Sequence, residues 1–190
     1  KKLFIQKNVK FVFINKNLNK KFLIPKGKFL IADDGVDLRD FNEKIKIKNF
    51  KSCVYTGSLY YGKGIELILK IAKKLNSITF HIYGDLKTAS KKTIIDSKGV
   101  KNIKFFGFKE YSQIPKILKS YKIILMPYMN TVYGSHKTMN IAKYMSPLKL
   151  FDYLAAGRII IASKNASYSH ILKNKKNCLL CSEKNLNQWI

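Results

Sequence analysis

Arginine is nearly missing from this chain. Of 37 basic residues only Arg39 and Arg158 carry a guanidinium, and with 11 acidic residues the formal net charge is +26. Proteins that read base edges rely on the flat, forked donor set of arginine, so its scarcity argues against sequence-specific DNA recognition. With no RNA-binding signature or helix-turn-helix pattern either, no nucleic-acid partner is expected. The lysine excess, set among many Ile and Asn, fits AT-rich coding bias as well as attraction to polyanions; composition leaves both open. Cysteine is sparse too. Cys53, Cys178 and Cys181 are an odd count that makes no disulfide framework. Cys178-Leu179-Leu180-Cys181 has the spacing of half a zinc site without a second pair, and His81, His136 and His170 show no ligand spacing. A reducing compartment and no metal are therefore expected. No apolar run approaches the ~18–20 residues that span a bilayer, and no signal-peptide pattern opens the chain. The expected location is cytoplasmic, with any membrane contact peripheral. The first residues are Lys1-Lys2-Leu3 rather than Met, as expected of a fragment of a longer chain.

What is present is a foldable core: 46 % of the 190 residues are hydrophobic, too many for a disordered chain despite the charge. From Lys51 onward short apolar runs alternate with amphipathic stretches. Strands are predicted at Ser52–Tyr55, Ile78–Tyr83, Asn102–Phe106, Lys122–Met126, Arg158–Ala162 and Asn177–Cys181. Helices are predicted at Ile65–Leu75, Lys87–Lys98, Tyr111–Ser120, Pro147–Ala156 (with Gly157 as its left-handed cap) and, briefly, Tyr168–Lys173. Runs such as Ile123-Ile124-Leu125-Met126 and Ile159-Ile160-Ile161-Ala162 show no alternation, as strands buried on both faces do not. The fold class is α/β, a doubly wound, Rossmann-like parallel sheet over residues 51–190. Before it, Val9–Ile14 and Phe29–Ala32 read as strands around a helical piece near Leu18–Phe22, too little for an independent domain. Residues 1–32 are expected to be the tail of a preceding domain. Residues 33–50, opening on the turn Asp33-Asp34-Gly35-Val36-Asp37, are expected to be an interdomain linker.

In open α/β sheets ligands bind beyond the carboxyl ends of the strands, and two segments there carry chemistry. Gly57-Ser58-Leu59-Tyr60-Tyr61-Gly62-Lys63-Gly64 follows a strand and opens a helix, so its N–H groups and Lys63 can receive a phosphate. By spacing it is a near miss for a P-loop, with Gly64 where Ser or Thr would hold Mg²⁺; Asp85, after Gly84, is a faint candidate for the missing metal carboxylate. The second segment is Ser146-Pro147-Leu148-Lys149-Leu150-Phe151-Asp152. Ser146 reads as the N-cap, Pro147 as N1 and Lys149 as N3. A cation there opposes the helix dipole, a conflict that a bound anion would relieve. Asp152 lies one turn deeper on the same face. Diphosphate at the helix mouth and ribose on the carboxylate fit this pattern, and so does a plain i,i+3 ion pair on a solvated helix.

The pieces occur together in an order that resembles glycosyltransferase family 4, the group 1 glycosyltransferases of GT-B fold. Asp34-Gly35-Val36-Asp37, Tyr55-Thr56-Gly57-Ser58-Leu59 with Lys63-Gly64, His81-Ile82-Tyr83-Gly84, Phe105-Phe106-Gly107-Phe108 and Met126-Pro127-Tyr128 each resemble a family segment. The strongest likeness is Ser146 through Gly157, similar to the family's "SPxKxfEYmAxG" signature. The resemblance implies the C-terminal, donor-binding half of a GT-B architecture with a remnant of the N-terminal domain. It implies transfer of a sugar from a nucleoside-diphosphate sugar, with retention, to a cell-surface glycan or lipid-linked acceptor. No cofactor or bound metal is implied. Lys63 would be catalytic, neutralising the departing diphosphate. Gly57, Ser58, Gly84, Ser146, Pro147, Leu148 and Lys149 would bind the donor, Asp152 its ribose, and Phe108 and Lys109 would lie near the base. Three departures stand out: Ser58 where the family often has Arg, Tyr144 where its first paired Glu would fall, and the near absence of the acceptor-binding domain. The alternative is a nucleotide-binding module without transferase activity. A basic cluster of Lys16, Lys20, Lys21, Lys26 and Lys28 around Phe22 and Leu23 adds an expected dock for an anionic membrane surface.

Overall fold

The structure, a computed structural model, describes residues 8–133 and 139–190; His136, unassigned in the sequence, lies outside the described residues. Strand β1 (Phe11–Phe13), helix α1 (Lys16–Phe22) and strand β2 (Phe29–Ile31) come first, and the two strands pair in parallel. There follow β3 (Asn49–Thr56), α2 (Ile65–Lys74), β4 (Thr79–Tyr83), α3 (Lys91–Lys98), β5 (Ile103–Phe105), α4 (Ile114–Lys119), β6 (Tyr121–Met126), α5 (Lys149–Ala155), β7 (Ile159–Ser163) and β8 (Leu179–Cys181). These last six strands form one parallel sheet in the order β5-β4-β3-β6-β7-β8. The chain winds outward from β3 to β5, returns to lay β6 against the other side of β3, and winds outward again. That is the doubly wound arrangement predicted, and its reversal lies between β3 and β6.

The central strands are covered on both faces, which is why the runs 123–126 of β6 and 159–162 of β7 show no polar alternation, whereas β4 and β5 toward the edge do alternate. Cys53, Tyr55 and Leu125 point into one core with Ile65, Ile68, Ile71 and Ala72 of α2. Val54, Ile124 and Met126 point into the other with Leu150 and Tyr153 of α5. The glycines of the first loop let chain meet chain. Gly64 has φ +93, and a Cβ there would fall 1.9 Å from the Pro127 carbonyl oxygen, so only glycine fits.

Several predicted boundaries move. The first strand begins at Asn49, three residues early. The stretch 87–98 splits into a 3₁₀ turn and α3, whose start is capped by the Ser90 hydroxyl accepting from the Thr93 N–H at 3.0 Å. The stretch 111–120 splits likewise, with Pro115 at the first turn of α4, where a missing N–H is harmless. The short helix predicted over 168–173 is not there. That segment is a run of turns, because its polar groups bond locally: the Asn165 carboxamide oxygen accepts from the N–H and hydroxyl of Ser167, and the Tyr168 hydroxyl donates back to the Ser163 carbonyl.

Residues 33–50 are tied to the sheet. Phe41, on a 3₁₀ turn, is 5 % exposed inside the core on the α5 side. The Lys119 ammonium donates to the carbonyls of Phe41 and Glu43, and Arg158 donates to those of Lys119 and Ile45. The β1-α1-β2 unit is held from the other side. The Asn15 carboxamide donates to the carbonyls of Met145 and Ser167, each at 3.1 Å, and His170 pairs with Asp33. Truncating Phe41 to Ala removes a buried ring from the core on the α5 side. A loss of about 3–5 kcal/mol is expected, read as a lower urea midpoint with little change in slope.

Candidate functional site

At the carboxyl ends of β3, β4 and β5 the loops are laced by backbone hydrogen bonds. The Gly57 N–H donates to the Tyr83 carbonyl at 2.8 Å, and the Gly84 N–H to the Gly107 carbonyl at 2.9 Å. Beside this lacing, at the reversal point of the sheet, opens a cleft of about 570 Å³. Its loop wall includes Thr56, Gly57, Ser58, Gly84, Phe108, Lys109 and Tyr111, and its other wall is Lys149 and Asp152 of α5. Of the predicted site residues, Gly57, Ser58, Gly84, Phe108, Lys109, Lys149 and Asp152 meet here. Lys63, Ser146, Pro147 and Leu148 lie outside the lining.

Two tyrosine hydroxyls set the geometry. Tyr153 of α5 accepts from the Thr56 N–H at 3.1 Å and donates to the Thr56 carbonyl at 3.2 Å. This pins α5 to the last residue of β3, and Lys149, one turn earlier on the same helix face, is carried over the sheet end with it. The Tyr55 hydroxyl donates to the Ser58 carbonyl at 2.7 Å and holds the loop. The Lys149 ammonium then rests on the Tyr55 ring, 3.9 Å from its centroid, and 5.3 Å from that of Tyr128. It takes the space that a side chain at 57 would need: a Cβ on Gly57 would lie 2.5 Å from Lys149 Nζ.

The Lys149 ammonium is buried and has no hydrogen-bond partner among the described residues. Burial pushes its pKa well down, the charge of Lys63 pushes the same way, and only Asp152 opposes them. Cation–π contact offsets part of the lost hydration, but three donors remain unanswered. An i,i+3 ion pair on a solvated face is therefore not what forms: among the described residues the ion pairs are Arg39–Asp37 and His170–Asp33. Lys63 also approaches Tyr128, donating to its hydroxyl at 3.4 Å with the ring centroid at 4.8 Å. Burial lowers its pKa as well. Asp152, 9 % exposed, accepts from the Tyr111 hydroxyl at 2.9 Å. Burial raises its pKa, while that hydrogen bond and the charge of Lys149 hold it down. Two cations around one ring and a carboxylate one helical turn away make a receptor for an anion carrying hydroxyl groups.

The predicted cap is corrected. Helix α5 starts at Lys149 with Leu148, itself helical in φ and ψ, in the cap position and no side-chain cap bond. The Pro147 carbonyl accepts from Leu150 and that of Leu148 from Phe151, a tight first turn that leaves Ser146 outside the helix. Lys149 thus sits earlier in the first turn than N3. Sequence reading also missed the tyrosines. Tyr55 and Tyr128 fall in apolar runs that read as core, which they also are. Tyr111 sits 41 residues from Asp152, and no local pattern connects the two. Asp85 lines the cleft, but its carboxylate accepts from the Lys87 N–H.

A family model described as glycosyl transferases group 1 matches residues 36–190. Comparison with curated proteins brings up no relative. Among solved structures, HepE from Anabaena, crystallised with UDP and glucose, is 12 % identical with a TM-score of 0.69, over 94 % of this chain and 50 % of that one. A glycosyltransferase from Rickettsia africae is 15 % identical with a TM-score of 0.73, over 96 % and 52 %. The C-terminal domain of the group 1 protein LpcC from Francisella tularensis is 21 % identical with a TM-score of 0.57, over 82 % and 84 %. At these identities the likeness is one of fold, to the Rossmann-like C-terminal domains of GT-B proteins, and the chain spans about half the length of the first two.

An unpaired buried cation is a stability defect, so Lys149→Met is expected to stabilise the unliganded protein by about 1–3 kcal/mol. That raises Tm by about 2–4 °C for each kcal/mol. The sign with pH follows from the lowered pKa. Between the folded-state value and the ordinary ~10.4 of an unfolded lysine, the unfolded chain holds the extra proton, so wild-type stability rises with pH. The gap between wild type and Lys149→Met should narrow across that window. Taking the difference cancels the opposite alkaline effect of buried tyrosines such as Tyr153, pushed up to about 12. Thermal melts of both proteins at several pH values read it.

Proposed function

The chain belongs to the group 1 glycosyl transferases, and on that premise we propose that its cleft is the donor site of a sugar transferase. The observation that carries this reading is the Lys149 ammonium, buried without an acceptor at the reversal point of the sheet, with the Asp152 carboxylate one helical turn deeper. A nucleoside diphosphate supplies what each lacks. Its phosphate oxygens give Lys149 acceptors, and its ribose hydroxyls give the carboxylate donors. Lys63, which also contacts Tyr128, adds a second cation from the glycine loop. In the reaction the bond from the anomeric carbon to the diphosphate oxygen breaks, and negative charge grows on the leaving diphosphate. Preplaced cations stabilise that growing charge more than they stabilise the ground state. Phe108 and Lys109, on the wall after β5, flank the space for the base.

Transfer with retention to a cell-surface glycan or lipid-linked acceptor is the activity proposed for the whole protein. The chain spans about half the length of the solved structures it resembles, and the rest of the catalytic cleft is proposed to come from an acceptor-binding domain. HepE holds UDP and glucose in its crystal, and a nucleotide sugar is proposed here on the same chemistry. Calorimetric titration with UDP, GDP, ADP and Mg-ATP tests the reading. One diphosphate is expected to bind without added metal, and Lys149→Ala or Asp152→Ala should each weaken it about tenfold or more. Preference for Mg-ATP would replace this reading with an NTPase, and unchanged affinity in both variants would remove the site.

Contact with an anionic membrane surface belongs to the same proposal. No helix among the described residues is long and apolar enough to cross a membrane. Leu23 is 82 % exposed beside the basic last turn of α1, which suits a shallow peripheral dock. Sedimentation with vesicles should rise with phosphatidylglycerol content and fall with salt; pelleting indifferent to anionic lipid rejects the dock.

A further inference from the structure

We propose that Tyr111 is the positioning residue of the donor site, its hydroxyl orienting Asp152 so that one carboxylate oxygen is held and the other accepts from a ribose hydroxyl. The proposal rests on the donor-site reading and adds a residue from the opposite wall. Tyr111 begins the 3₁₀ turn Tyr111–Gln113 that follows the loop from Gly107. It is 52 % exposed, so its ring lies along the cleft rather than under it.

The need for such a residue is geometric. The last torsion of an aspartate is broad and roughly two-fold, so a carboxylate in an open cleft has no fixed plane. The Tyr111 hydroxyl, 2.9 Å from Oδ1, supplies one. Among the described residues Oδ2 accepts no hydrogen bond, and a carboxylate has capacity for several donors. Charge matters as well. Burial favours the neutral acid at Asp152, which would lose most of its strength as an acceptor; the Tyr111 hydrogen bond and the charge of Lys149 both oppose protonation. The phenol does not surrender its own proton instead, because burial and the adjacent carboxylate push its pKa up to about 12. Tyr111 is therefore a donor throughout the neutral range, and its hydrogen bond favours the ionised, accepting form of Asp152.

The test is sugar discrimination rather than affinity alone. UDP and GDP, each with its 2′,3′-dideoxy counterpart, and inorganic pyrophosphate are titrated into the 190-residue chain and its Tyr111→Phe variant. Wild type is expected to favour the ribo form by about tenfold, as for one charge-assisted hydrogen bond. Tyr111→Phe should cut that preference at least about threefold while pyrophosphate affinity stays within about twofold. Asp152→Asn should collapse the preference by itself, with no further loss in the double variant. If wild type discriminates and Tyr111→Phe discriminates equally, Tyr111 is only a wall and the proposal falls while the donor site stands. If Tyr111→Phe binds the ribo form more tightly, the hydroxyl competes with ribose and the proposal is reversed. If wild type binds none of these probes, the donor-site reading itself fails and takes the proposal with it.

Discussion

The arrangement depends on a lysine ammonium placed where none of the described residues accepts from it. Lys149 lies on the Tyr55 ring, presses on Gly57, and has no hydrogen-bond partner. A soluble protein discards such a group unless a ligand completes it, since burying an uncompensated cation opposes folding. The surroundings are built to keep it. Glycine at 57 leaves the volume, the Tyr153 hydroxyl clamps the helix to Thr56, and the Tyr55 hydroxyl clamps the loop to Ser58. Each clamp is a neutral hydrogen bond that leaves the cation uncompensated, so the free energy of neutralising it remains available for binding.

The sheet explains why the site is where it is. Only between β3 and β6 does the winding reverse, so only there do the following loops separate and leave a crevice. Gly62 and Gly64 fill part of that crevice with backbone, lying against Thr131 and Pro127. The remainder opens toward β4 and β5, where the glycine lacing keeps the floor low. Residues before β3 have a different part. Phe41 is in the core and Asn15 bonds carbonyls on both sides of α5, so the chain enters the sheet domain along a fixed path.

What could be read in advance followed the strength of local pattern. The apolar runs of β6 and β7 are uniform enough to declare themselves as doubly covered strands. Lys149 and Asp152 share a helix face by spacing alone, and Gly157 ends that helix in the left-handed region at φ +62, as its position implied. Each failure has its own local cause. The stretch 168–173 has helix-compatible residues, but the side chains of Asn165 and Ser167 and the hydroxyl of Tyr168 take the local backbone partners first. Ser146 had the chemistry of a cap, but the tight turn through Pro147 and Leu148 starts the helix without it.

By itself the sequence determined the α/β alternation, the parallel sheet, the glycine loop, and the lysine and aspartate one turn apart, because hydrophobic period and residue spacing act over a few residues. Tertiary structure alone decided that the Lys149 ammonium would be buried without a hydrogen-bond partner among the described residues, that Lys63 would share the Tyr128 ring with it, and that Tyr111 would reach Asp152. Those facts rest on Tyr153 meeting Thr56 across 97 residues and Tyr111 meeting Asp152 across 41. Contacts of that range leave no periodic mark on a chain, because they depend on strand order and on where each loop turns back.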